Sequence, residues 1–182
     1  ETIDGQMIEG EEQITKSHQK YKRIFYKEEP HVLREVIEAI QNADLVILSM
    51  GSLYTSLLPH LICEEVQEAI RTTDAKIMYI CNAVTQPGET DDFCVGDHIK
   101  VIESYISPRK VDVVIASNTA VEPEIIQKYA NKEKKDPVII DYDTIKELGC
   151  ELIEADLLTT EDGTIRHNSM RLSSIIFSYL MR

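Results

Sequence analysis

Leu45-Val46-Ile47-Leu48 is an unbroken apolar run, rich in β-branched residues, that stops abruptly at Ser49-Met50-Gly51-Ser52. A run this short with no polar alternation reads as a strand buried on both faces, which calls for a parallel sheet covered by helices. The same plan then recurs along the chain. Val32, Leu33, Val36, Ile37 and Ile40 form one face of a helix that ends near Asn42 and feeds the run. A helix over 61–71 leads to a strand over 76–81, a helix over 95–106 to a strand over 111–116, and a helix over 122–131 to a strand over 137–140. A short helix over 143–148, a last strand over 151–153, a turn at Asp162-Gly163 and a helix capped by Asn168 complete the series. That last helix carries a wide apolar stripe of Leu172, Ile175, Ile176, Tyr179 and Leu180. Strands alternating with helices at this interval predict an α/β fold, a parallel sheet with helices on both faces, in a single domain over 1–182.

Ahead of the first helix, Asp4-Gly5 stands between Thr2-Ile3 and Met7-Ile8, the dipeptide that favours a tight hairpin turn, and 21–26 reads as a further strand. The expectation is an N-terminal β-hairpin flap laid on something larger, because a lone hairpin is marginal in water.

Nineteen basic against thirty-two acidic residues give a formal charge of −13, which repels a phosphate backbone and argues against nucleic acid as a partner. No apolar run approaches the roughly 20 residues of a membrane span, and no signal-peptide pattern opens the chain, so a cytoplasmic protein is expected. The chain starts at Glu1 rather than Met, so a fragment or a processed chain is expected. Cys63, Cys81, Cys94 and Cys150 lie far apart with no C-x-x-C and are expected to be buried thiols. His18, His31, His60 and His167 lack metal-ligand spacing and are expected to be structural or exposed. The stripe on the last helix and the sheet edges suit a homodimer.

In open parallel sheets ligands lie outside the carboxyl ends of the strands, where strand order reverses. Here those ends read Ser49-Met50-Gly51-Ser52, Cys81-Asn82 and Ser117-Asn118. After the first, Ser52, Tyr54, Thr55 and Ser56 precede a helix whose unpaired N–H groups and dipole suit a phosphate or carboxylate. Plain capping by Ser or Thr is the alternative. Asn82 and Asn118 offer both a donor and an acceptor to a base, ribose or sugar hydroxyl, against local turn-making. Glu89, Asp91, Asp92 and Asp97 gather after a Pro-Gly turn; Asp91 and Asp92 are the candidates for a magnesium ion, and acid favouring a helix start is the competing explanation. His98 and Lys100 are expected on the surface of the helix that follows.

Two stretches together carry a resemblance. GSLYTSLLP, 51–59, and CNAVTQPGETDDF, 81–93, resemble the paired motifs of bacterial YvcK-type gluconeogenesis factors, in one superfamily with the 2-phospho-L-lactate transferase of deazaflavin-coenzyme synthesis. DGQMIEGE at 4–11, Asp97-His98 and Arg166-His167 extend the likeness over nearly the whole chain. The resemblance implies a Rossmann-like fold, a C-terminal portion of a larger nucleotide-binding domain. It also implies a ligand of the UDP-sugar class, such as UDP-N-acetylglucosamine, with NAD(P) or GDP as other nucleotide candidates. Members support growth on gluconeogenic carbon sources and maintain cell shape and wall synthesis as regulators with no established reaction and no required cofactor. Carried over by motif, Gly51, Ser52, Leu53, Tyr54, Thr55 and Ser56 line the diphosphate or sugar side, and Asn82, Thr85, Gln86, Gly88, Glu89 and Thr90 form the facing loop. The alternative is a magnesium-dependent transferase acting on a deazaflavin alcohol. Departures are Ser49-Met50-Gly51 for the usual Gly-Pro-Gly, His60 for Asn and Val84 for Met. The family's Gly-rich first strand–turn–helix and its Asp-Asp-Gly-Gly stretch would lie before Glu1.

Overall fold

The computed structural model describes residues 1–160 and 163–182; Asp162 of the expected turn lies outside them. In chain order the helices are α1 (Glu11–Ser17), α2 (Arg34–Gln41), α3 (Leu58–Leu61), α4 (Glu64–Thr72), α5 (Val95–Ile106), α6 (Pro123–Glu133), α7 (Tyr142–Leu148) and α8 (Ser169–Leu180). The strands are β1 (Leu45–Leu48), β2 (Lys76–Ile80), β3 (Val113–Ser117), β4 (Glu151–Ala155) and the two-residue β5 (Leu158–Thr159) and β6 (Arg166–His167).

β1 to β4 form one sheet, every pairing parallel, in the order β1-β2-β3-β4. Strand order equal to chain order carries α4, α5 and α7 over the face that α2 also covers, whereas α6 reaches the chain after β5, its Tyr129 hydroxyl accepting from the Ile165 N–H at 2.8 Å. Alternate strand residues show the result. Val46, Leu48, Ile77, Tyr79, Cys81, Val114 and Ala116 face α2 to α5 and α7, meeting Ile37, Leu61, Ile70, Ile99, Ile102, Ile106 and Ile145. Leu45, Met78, Ile80, Val113 and Ile115 face the other way, onto Leu157 and the Leu172, Ile175, Ile176 and Tyr179 stripe of α8. Ile77, Met78, Tyr79, Val113, Val114 and Ile115 are wholly buried, and each such apolar side chain contributes about 1.5–3 kcal/mol of transfer free energy. The expected parallel, two-faced α/β sheet is thus present, and the bounds of α5 match those read from its periodicity.

Three expectations need correction. No N-terminal hairpin forms: the turn at Asp4-Gly5 is made, with Gly5 N–H donating to the Thr2 carbonyl at 3.0 Å, but Thr2 bridges to Tyr21 rather than to Met7-Ile8. The intervening chain winds into α1, whose Glu11 and Glu12 in the first turn and Lys16 in the last suit the helix dipole. The 137–140 segment does not join the sheet. It bridges at Pro137 to Val84 and at Ile139 to Cys94, lying along the loop that precedes α5, and β4 is the fourth strand instead. The helix expected over 61–71 is present as α4 but starts at Glu64, after a break at Cys63, and the residues ahead of it form a π-helical turn, Leu53–Leu57, that runs into α3.

Gly88 is fixed twice over, by a φ of +82° and by the His18 backbone, whose carbonyl carbon would lie 2.4 Å from an added Cβ. Gly149, with a φ of +74°, meets nothing within 4 Å. Gly149→Ala is therefore expected to cost only the left-handed penalty of about 1–2 kcal/mol, and Gly88→Ala distinctly more. Urea unfolding of the two variants measures the difference; equal losses would mean that the loop does not rest on His18.

Candidate functional site

At the end of β1 the chain turns through Ser49–Ser52 and enters the π-helical turn, where Ser56 and Leu57 both donate their N–H to the Ser52 carbonyl at 2.9 Å. The Tyr54 N–H and the hydroxyls of Ser52 and Thr55 converge on a carboxylate from the facing loop. Glu89 accepts a short hydrogen bond from Ser52 Oγ and one from the Tyr54 N–H at 3.3 Å, while Thr55 Oγ1, 3.3 Å from the carboxylate, donates to Ser52 Oγ at 2.6 Å. The anion seat expected from the sequence is built, and the chain's own buried Glu89 fills it.

The facing loop is held from within. Thr90 Oγ1 accepts from Gln86 N–H at 2.9 Å, Thr85 Oγ1 from Asp136 N–H at 3.0 Å, and Asp91 Oδ2 from Gly88 N–H at 2.8 Å. Thr85 and Thr90 are buried, so their hydroxyls shape the loop instead of facing outward. Leu53 and Tyr54 are buried as well, Tyr54 against the Tyr21 ring with centroids 5.7 Å apart, whereas Ser56 is exposed. Asp97 accepts from Cys94 N–H at 3.1 Å and caps α5. Among the described residues no three His, Cys, Asp or Glu side chains gather as a metal site.

Asn82 ties the ends of β1 and β2 together. Its Nδ2 donates to the carbonyls of Met50 and Gly51, each at 3.0 Å, and its Oδ1 accepts from the Tyr79 hydroxyl at 3.0 Å. Asn118 donates to Glu154 Oε1 at 2.9 Å, and Tyr142 donates to the other oxygen of that carboxylate at 3.0 Å. Over the carboxyl ends of β2 and β3 lies a hollow of about 310 Å³, lined by Asn82, Ser117, Asn118, Thr119 and Tyr142 with Val138 and Ile139. A second hollow, of about 640 Å³, separates the N-terminal segment from the π-helical turn and is walled by Ile8, Ile14, Tyr21, Phe25 and Tyr54, with Thr55 at its edge. The strand ends thus meet at one mouth, but strand order does not reverse there among the described residues.

His98, expected on the surface, is 1% exposed. Its Nδ1 lies 3.2 Å from the Tyr79 hydroxyl and its ring packs on Phe93, and burial lowers its pKa to about 4. The signal was available: three residues after Val95 and four before Ile102, it sits on the buried stripe of α5. His167 places Nε2 3.2 Å from the Cys81 carbonyl and is likewise held below its ordinary pKa by burial. Cys63, Cys81 and Cys150 are buried thiols as expected, whereas Cys94 is only half-buried; burial pushes Cys81 and Cys150 up to about 12.

The family model for the 2-phospho-L-lactate transferase CofD matches residues 1–158. A gluconeogenesis factor of Halalkalibacterium halodurans is 38% identical over 177 residues, which cover 97% of this chain and 55% of that protein. One of Bacillus subtilis is 35% identical over 181 residues, covering 99% and 57%. A crystal structure of a Bacillus halodurans protein superposes with a TM-score of 0.91 at 38% identity, covering 97% of this chain and 57% of that one. The chain spans a little over half the length of these relatives.

A histidine near 6.5 when unfolded and about 4 when folded takes up its proton first in the unfolded state, so stability falls as pH drops through that window. Between pH 7 and 4.5 the His98 contribution is a loss of about 2–3 kcal/mol. Urea unfolding at both pH values should show that slope in the wild type and a shallower one in His98→Gln; identical slopes would remove His98 from the buried set.

Proposed function

Because the chain belongs to the 2-phospho-L-lactate transferase CofD family, we propose that it forms part of a cytoplasmic regulator that binds a UDP-sugar, supports growth on gluconeogenic carbon and maintains cell shape and wall synthesis. The gluconeogenesis-factor names of its relatives support the metabolic role. The observation that carries the binding role is the meeting of the two family stretches at one sheet edge, through Ser52 and Thr55 on Glu89 and through Asn82 on Met50 and Gly51. A carboxylate already in the seat disfavours a phosphate there and favours hydroxyl groups, which can donate to Glu89 and accept from Ser52 or Thr55. The turn therefore takes the sugar or ribose side, and the neutral Asn82 and Asn118 at the mouth take the base or further hydroxyls. Gly51, Leu53, Tyr54, Ser56, Thr85, Gln86, Gly88 and Thr90 act by shaping these two walls. Binding needs no cofactor. Met170, Phe177, Leu180 and Met181, exposed along α8, suit a second copy of the chain. No helix of the described residues is long and apolar enough to cross a membrane.

The second reading, favoured by the family model that matches 1–158, is a magnesium-dependent transferase moving a 2-phospholactyl group to a deazaflavin alcohol. Asp91 and Asp92 would then hold the ion, Asp91 after releasing the Gly88 N–H.

Thermal unfolding of the full-length protein with UDP-N-acetylglucosamine, NAD(P) and GDP, each with and without magnesium, tests both. A UDP-sugar at about one hundred times its dissociation constant should add roughly 2.7 kcal/mol, several degrees of Tm, with or without the ion. Ser52→Ala with Thr55→Ala should weaken that binding by roughly 1.5–3 kcal/mol per charged hydrogen bond lost. A response only to a deazaflavin substrate with magnesium, with product formed, would replace the regulator by the transferase.

A further inference from the structure

The directions of the hydrogen bonds around Asn82 are forced, and they fix a proton several ångströms away. Carbonyl oxygens only accept, so the amide nitrogen of Asn82 faces Met50 and Gly51 and its oxygen faces Tyr79. An amide oxygen also only accepts, so Tyr79 donates its single proton there. Towards His98 the same hydroxyl is then an acceptor, and Nδ1, 3.2 Å away, must carry the proton. The other ring nitrogen agrees: Nε2 is buried with no partner among the described residues, and a bare lone pair there costs less than an unpaired N–H. Tyr79 and His98 are 0% and 1% exposed, so neither can touch a ligand.

We propose that His98 and Tyr79 are positioning residues for the strand-end mouth: a one-way relay from His98 Nδ1–H through the Tyr79 hydroxyl to Asn82 Oδ1 locks the Asn82 amide onto the Met50 and Gly51 carbonyls. The relay sets where the Gly51–Thr55 turn stands relative to Asn82. It also occupies two carbonyl oxygens that would otherwise present negative charge to a nucleotide. The competing arrangement is a Cys81 thiol donating to a bare Nδ1 from 3.9 Å, which would leave the proton on Nε2 and break the relay. The effect on affinity rests on the functional reading above; the relay itself does not.

Histidine-selective nitrogen NMR of the full-length protein at neutral pH reads the tautomer directly and needs no variant. The proton is expected on Nδ1 of His98, and an Nε2–H tautomer overturns the proposal. Tyr79→Phe, which keeps the ring and removes the hydroxyl, should then shift His98 towards Nε2–H and speed hydrogen exchange of the 52–55 amides. Calorimetry with UDP-N-acetylglucosamine should show affinity falling roughly tenfold, the size of one lost hydrogen bond. An unchanged affinity beside a wild type that binds overturns the positioning role. Should the wild type not bind the UDP-sugar, the functional reading fails, and the exchange rates of 52–55 decide the relay: faster in Tyr79→Phe supports it, unchanged overturns it.

Discussion

Every strand of the main sheet runs in the same direction, and strand order equals chain order. Two consequences follow from that single constraint. Helices α2 to α5 and α7 cover one face and α8 the other, so the strands need apolar side chains on both faces and leave polar residues mainly for their ends. All the loops that leave carboxyl ends open on one edge, so Ser49–Ser52, Asn82 and Ser117-Asn118 meet although they are separated by about thirty residues each. The chemistry of the chain is gathered by topology before any side chain contributes.

Side chains then hold that edge together. Glu89 brings a negative charge to the turn, and the bonds it accepts from Ser52 Oγ and the Tyr54 N–H join 52–55 to 86–90. Asn82 does the same for the carbonyl side of the turn, satisfying the Met50 and Gly51 oxygens. Donors of the turn go to Glu89 and acceptors to Asn82, which pairs the groups of the turn that these two residues reach, while Gln86 Oε1 in the facing loop stays buried without a partner among the described residues. The result is a junction shaped for neutral hydroxyl-bearing groups more than for a bare phosphate.

Much of this was legible in the residues. The 95–106 periodicity of α5 and the Asn168 cap, whose Oδ1 accepts from Arg171 N–H at 3.1 Å, are local signals that the structure repeats. The apolar run of β1 does form a strand, but at the edge of the sheet with Ile47 exposed and not buried on both faces as its composition implied. What failed was non-local. The Asp-Gly dipeptide specifies a turn and is silent about which strand pairs across it, so Thr2 finding Tyr21 could not be read. Pro137-Val138-Ile139-Ile140 has strand composition, but a partner is chosen by the whole sheet, and the loop before α5 was the one within reach. Nothing within either stretch says that a loop carboxylate will reach a turn 35 residues earlier. The sequence pointed to an anion at that turn for a sound electrostatic reason; only the structure shows whose anion it is.

The closed edge stands on the bond between the 52–55 turn and the 86–90 loop. A double-mutant cycle on Ser52→Ala and Glu89→Gln, measured by urea unfolding, isolates it from the packing of either residue. A coupling of about 1–3 kcal/mol is the result this structure requires. Costs that simply add would mean that the carboxylate and the turn do not meet in solution, and the closed edge described here would not exist.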